Sequence, residues 1–103
     1  MVKLTALYTR PEDPEGFDAH YFTTHLPLVK QTPGLIRCEI AKVIGAPIGE
    51  ARYYLQCDMY YESEAAMNAG MASPEGRRAA KDLMSFAASN VVMMFSEVLN
   101  DAA

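Results

Sequence analysis

The hydrophobic period switches in a fixed order along this chain, and that order leaves few folds open. Val2, Leu4, Ala6 and Tyr8 alternate with Lys3, Thr5 and Thr9, the period of two that marks a half-buried strand. Residues 10–16 hold two prolines and a glycine among acidic residues and read as a loop. From there Phe17, Tyr21, Phe22, Leu26 and Val29 recur at the spacing of one helical face. Pro27 lies inside this helix and cannot donate to the carbonyl of Thr23, so a kink or an early end is predicted near His25 and Leu26. Pro33 and Gly34 then stop the element.

Residues 35–44 and 52–61 are rich in β-branched and aromatic side chains, with Gly45, Pro47 and Gly49 between them. They read as a hairpin. Ser63 is placed to cap a short helix reaching about Gly70, and Ser73, Pro74 and Glu75 are a second start signal. The second helical region is therefore predicted in two pieces, the later one carrying the stripe Ala79, Ala80, Leu83, Phe86 and Ala87. In residues 91–99, Val91, Met93, Phe95 and Leu99 point one way and Val92, Met94 and Val98 the other. Both faces of this last strand are expected to be buried.

Strand, helix, strand, strand, helix, strand is the α+β, ferredoxin-like βαββαβ order, with a four-stranded antiparallel sheet covered by helices on one face. The 103 residues leave no room for a second core, so one domain over residues 1–103 is expected. The uncovered face would present Val92, Met94 and Val98, or Tyr54 and Tyr60. Exposed apolar surface of that extent calls for a cover, and a second copy is the most economical one. A homodimer is predicted.

Composition removes several function classes. A formal charge of −4, with Arg77, Arg78 and Lys81 as the only dense cationic group, offers no phosphate-binding surface, so nucleic acid is not an expected partner. The first residues lack the regions of a signal peptide, and no apolar run approaches the roughly 20 residues of a membrane span. A soluble, cytoplasmic protein is expected. There is no glycine-rich phosphate loop, nucleophile elbow, Cys-x-x-Cys or His-Glu-x-x-His. A metal site is not expected, because only His20, His25 and scattered carboxylates are available. Cys38 and Cys57 read as reduced core thiols; as near-opposite residues of the hairpin they also allow a disulfide.

His25 stands out because its side chain titrates near neutral pH and lies beside the irregularity set by Pro27. It could serve as a general base or as a donor to a substrate oxygen, or its ring could pack at the helix edge against a freed carbonyl. His20 is expected to face solvent or the loop. Tyr54, Gln56, Asp58 and Tyr60 share one face of the third strand, a mixture suited to a ligand pocket or a dimer interface. Asp82, one turn from Arg78, reads as half of a surface ion pair. The seven methionines read as flexible core filler.

Phe17, Tyr21, His25, Leu26, Pro27 and Leu28, then Pro33, Gly34 and Leu35, together with Ser73, Pro74, Glu75, Gly76 and Asp82, resemble the EthD family. That family is named for ethyl tert-butyl ether degradation and belongs to the dimeric α+β barrel superfamily. The resemblance covers essentially the whole chain. It implies a barrel formed by the two sheets of a homodimer, with a small-molecule cavity near sheet and helices. The superfamily includes cofactor-independent monooxygenases, lactone isomerases, haem-binding enzymes and proteins without known activity. The family's histidine corresponds to His25.

Two functions follow from this resemblance. One is an oxidoreductase of monooxygenase type, or an isomerase, that degrades an organic compound without a cofactor. His25 would be the acid or base, and Tyr8, Tyr54 or Tyr60 would orient a small apolar or oxygenated substrate. The other is a non-catalytic binding or accessory protein of an oxidation system. Haem capture by His25 is a lesser alternative. The chain lacks tryptophan, an aromatic often used in pockets of the monooxygenase relatives.

Overall fold

The expected order is present in the computed structural model, which describes residues 1–100. Strand β1 (Val2–Tyr8) leads into helix α1 (Pro14–His20), a π-helical turn (Tyr21–His25) and helix α2 (Leu26–Lys30). Strands β2 (Leu35–Lys42) and β3 (Leu55–Tyr61) follow, then helices α3 (Glu64–Ala72) and α4 (Pro74–Ala87), and strand β4 (Val91–Glu97). The strands lie in the order β2-β3-β1-β4 with every pair antiparallel. This is the α+β, ferredoxin-like arrangement. The hairpin strands are shorter than their composition suggests, because residues 43–54 pass through Gly45, Pro47 and Gly49 outside the ladder.

Register decides what each face of the sheet carries. Leu4, Ala6 and Tyr8 of β1 lie beside Met59, Cys57 and Leu55 of β3, all buried in one core with Phe17, Tyr21, Val29, Met67 and Leu83 from the helices. Aromatic rings dominate one end of that core. Tyr8 meets Phe17 and Tyr21 edge-on at centroid distances of 5.4 and 5.5 Å, and Phe17 stacks on Tyr21 at 5.8 Å. Such pairs contribute about 0.5–1.5 kcal/mol each beyond the area they bury.

The proline in the first helical region produces neither an end nor a simple kink. Leu26 N–H donates to the carbonyl of Tyr21, five residues back, and the helix continues through Leu26–Lys30. One extra residue is thus accommodated just before Pro27, whose missing N–H would have left an α-helical ladder incomplete there. In an α-helix, residues five apart diverge by about 140°. The wider turn brings His20 and His25 toward the same side.

Side-chain caps set the other boundaries. Asp13 accepts from Gly16 N–H at 3.1 Å, and Ser63 accepts from Ala66 N–H at 3.1 Å. Ser73 donates to the Gly70 carbonyl at 2.5 Å and accepts from Gly76 N–H at 3.0 Å, so one hydroxyl ends α3 and starts α4. The second helical region is in two pieces for this reason.

The outer face of the sheet differs from expectation. Its central strands carry a polar network: Thr5 donates to Asp58 at 2.5 Å, Gln56 donates to Asp58 at 3.0 Å, and Lys3 lies 3.3 Å from the same carboxylate. Burial works to raise the Asp58 carboxyl, but these donors outweigh it and hold Asp58 below the usual aspartate range. Strand β4 is an edge strand, and Val92, Met93, Met94 and Phe95 are exposed on both of its faces rather than buried. Its sequence fits a buried strand, but the described residues leave it uncovered.

Gly70 marks the closest approach of α3 to the α2–β2 connection. A Cβ there would sit 2.6 Å from the Pro33 carbonyl oxygen and 3.2 Å from the Tyr61 ring. Gly70→Ala is therefore expected to destabilise the fold by about 1–3 kcal/mol, since the main obstacle is backbone. Urea unfolding monitored by circular dichroism measures this, and an unchanged midpoint would contradict the close packing.

Candidate functional site

A cavity of about 350 Å³ lies between the inner face of the sheet and α4. Leu4, Ala6, Met59 and Val29 line much of it, with Met71, Met84 and Met93 contributing exposed side chains. Tyr8, His25, Thr32, Cys57 and Tyr61 are among the residues that line it. Among the described residues, no lysine, arginine or carboxylate side chain lines it. A neutral, mostly apolar molecule is the kind of ligand such walls suit.

His25 is the titratable group with the most defined geometry here. Its side chain is 5% exposed, and its Nδ1–H donates to Asp82 Oδ2 at 3.0 Å. With Nδ1 facing a carboxylate, the neutral ring carries its proton there, and Nε2 is the basic nitrogen. The π turn positions the imidazole from one side and α4 from the other. Asp82 and Phe86 are four residues apart and so share a face of α4. Phe86 packs against His25 at a centroid distance of 5.2 Å, and Tyr21 packs against it at 5.5 Å.

Asp82 also holds His20, whose Nε2 lies 3.0 Å from both carboxylate oxygens. The His20 ring rests on Phe86 at 4.4 Å. The sequence reading of Asp82 is thus corrected: it is not the partner of Arg78, because the face of α4 that bears it turns toward the π turn. His20 borders the β1–α1 loop as expected and in addition reaches Asp82, because the extra residue swings it toward α4. His25 bonds to a carboxylate rather than to a freed carbonyl.

Burial is the larger influence on His25 and lowers its proton affinity, Asp82 opposes this, and the nearby His20 adds to the lowering. The net effect holds His25 below the ordinary value of 6.5. The unfolded chain therefore binds the His25 proton more readily than the folded one, and stability rises with pH through this range. Wild-type protein should lose thermal stability as pH falls through 6.5 toward the folded value. The loss should be smaller in His25→Gln, as measured by melting temperature at pH 7.5 and 5.5; equal losses in both proteins would contradict this assignment.

The candidate tyrosines do not form one site. Tyr8 lines the cavity. Tyr54 lies just outside β3, donates to both oxygens of Asp18 at 2.9 and 2.8 Å, and packs on Phe17. Because the ladder starts at Leu55, strand alternation does not extend to Tyr54, and it is separated from Gln56, Asp58 and Tyr60. Tyr60 is on the opposite face of the sheet from Tyr8, with the Arg37 guanidinium 3.9 Å above its ring. Neither Tyr54 nor Tyr60 lines the cavity.

Other residues join the site without a sequence signal. Tyr21 is fully buried and, among the described residues, its Oη has no hydrogen-bond partner; burial, with Cys57 and Tyr8 nearby, pushes its phenol up. Cys57 of the cavity wall has its Sγ 3.6 Å from that of Cys38, and both are free thiols. They are diagonal rather than opposite, since Cys38 pairs with Met59 and Cys57 with Ile40. Among the described residues, no group of three or more histidines, cysteines and carboxylates is placed to hold a metal ion.

With this geometry established, comparison with known proteins identifies the surroundings of the site. A family model described as EthD domain matches residues 9–90. The chain is 37% identical over 97 residues to an uncharacterized 11.0 kDa protein from the thcB-thcC intergenic region of Rhodococcus erythropolis, covering 94% of each. It superposes on the crystal structure of an ethyl tert-butyl ether degradation family protein from Bacillus halodurans with a TM-score of 0.92. Identity there is 42%, covering 96% of this chain and 99% of that one. Two more distant structures share the fold alone. A dimeric ferredoxin-like protein of unknown function from Thermobifida fusca gives a TM-score of 0.70 at 16% identity, covering 94% and 90%. SnoaB, a cofactor-independent oxygenase from Streptomyces nogalater, gives 0.69 at 13% identity, covering 97% and 94%.

Proposed function

Since the chain belongs to the EthD family, we propose that it is a cofactor-independent enzyme that uses His25 as acid or base on a small, uncharged organic molecule held in the cavity. The observation that carries this reading is the pairing of a buried, Asp82-anchored imidazole with an apolar cavity free of charged walls. His25 Nε2 takes a proton from an acidic C–H or O–H of the ligand, and the imidazolium so formed is stabilised by Asp82. The resulting anion either regains a proton at a different atom, an isomerisation, or gives electrons to dioxygen, an oxygenation of the kind SnoaB performs without a cofactor. Tyr8 is the nearest candidate to orient the ligand oxygen. The compound belongs to a degradative route for organic molecules in this reading.

The apolar wall also supports a second reading, a non-catalytic carrier serving a separate oxidation system. His25→Gln separates the two. For an enzyme it should abolish turnover while leaving ligand affinity within about tenfold, or about 1.4 kcal/mol. Turnover is followed by oxygen uptake and by deuterium incorporation from solvent, and affinity by calorimetry with a panel of neutral phenols, lactones and ethers. Binding without turnover in the wild type favours the carrier.

The working unit in this proposal is a homodimer. The exposed apolar residues on both faces of β4 and the dimeric ferredoxin-like neighbour support a second copy closing a barrel over the outer face. Light scattering should give twice the mass of the 11.4 kDa chain, and Met94→Asp should shift it to the monomer. A wild-type monomer would overturn this part.

A further inference from the structure

Asp82 serves two imidazoles that face different surroundings. His25 lines the apolar cavity, whereas His20 lines a separate open cleft of about 520 Å³ between the β1–α1 loop and the end of α4. Side-chain exposure is 5% for His25 and 35% for His20. Each ring donates to the same carboxylate at 3.0 Å. One negative charge stabilises one imidazolium well and a second poorly, because the two cations would repel across a distance spanned by a single carboxylate.

We propose that His20 and His25 act as one proton-handling pair on Asp82, carrying a single positive charge between them, so that a proton taken up inside the cavity is balanced by one released to water from His20. This rests on the reading of His25 as the base. The hand-off starts with the pair's charge on the outer ring, His20, which donates to Asp82 through Nε2–H, and with His25 neutral. When the ligand's proton moves to His25 Nε2, a new N–H bond forms and the ligand keeps the electron pair. His20 then loses its Nδ1 proton to water. Asp82 stays a carboxylate throughout, no proton crosses it, and the net event is transfer of one proton from ligand to solvent. His20 touches no ligand; it acts through Asp82 as a positioning residue that sets when His25 is free to accept a proton.

The groups facing the pair support this division. Asp82 and His20 are the titratable groups acting on His25, while the sheet presents Tyr8, Tyr61 and Cys57 to the same cavity. On the other side, Arg10, Glu12 and Asp13 line the cleft into which His20 opens.

The test is an NMR titration of both imidazoles in the wild-type chain, in His20→Gln and in His20→Phe, without any ligand. Glutamine keeps a donor for Asp82, and phenylalanine keeps the ring on Phe86; both remove the charge. In each variant His25 should bind its proton about tenfold more tightly than in the wild type, one unit in its midpoint. An unmoved His25 midpoint in a folded variant overturns the shared charge, and a His25 that protonates first overturns the direction of hand-off. Asp82→Asn should weaken proton binding at both rings, and failure to do so also overturns the proposal. The measurement is independent of turnover: if no ligand is ever processed, the reading of His25 as an enzymatic base fails while the coupling remains measurable.

Discussion

The Asp82 carboxylate ties together parts of the molecule that otherwise have little reason to keep a fixed relation. It joins α4 to the π turn through two imidazoles, and the Phe86 ring one helical turn away seats both of them. Without that anchor the two imidazoles would lose the partner that fixes them, and the π turn would be held by the packing of Tyr21 alone. Packing supplies the remaining support. The Tyr8, Phe17 and Tyr21 rings lock the first helical region against β1, so the histidines approach Asp82 from a backbone already held in place.

The two faces of the sheet divide the labour by strand parity. Inward residues of β1 and β3, among them Leu4, Ala6, Tyr8, Cys57 and Met59, carry no charged group and build the cavity wall. Outward residues build a charged and hydroxylated network around Asp58. A slip of one residue in the pairing of β3 would exchange these two environments and leave Asp58 inside the cavity. The three donors on Asp58 thus oppose a wrong register as well as compensating a buried charge.

Much of the fold was legible because period and punctuation are local properties. Val2 to Tyr8 alternates, Ser63 and Ser73 announce their helices, and the residue order of the strands follows. Strand β4 was legible as apolar on both sides, but its place at the sheet edge was not, because edge position depends on pairing and not on composition. The site was half legible. His25 could be picked out by its chemistry and by Pro27, yet Asp82 lies 57 residues away, and only the folded chain brings them together. The π turn was foreshadowed by Pro27 as an irregularity. That it would add a residue, and so turn His20 toward Asp82, depends on packing against α4 that no local signal records. Tyr54 was misplaced for a related reason: alternation holds only within the ladder, and the ladder begins one residue later.

The methionines at the open side of the cavity carry a consequence about time. Met71 and Met84 from α3 and α4 and Met93 from β4 are exposed and line the same space. Their unbranched side chains change shape by rotating about single bonds. Entry past them needs rotamer changes on the picosecond to nanosecond scale, not the far slower displacement of a helix or a lid. The shape of this mouth is thus set by side-chain rotamers, while the wall beyond it is built on the sheet and α4.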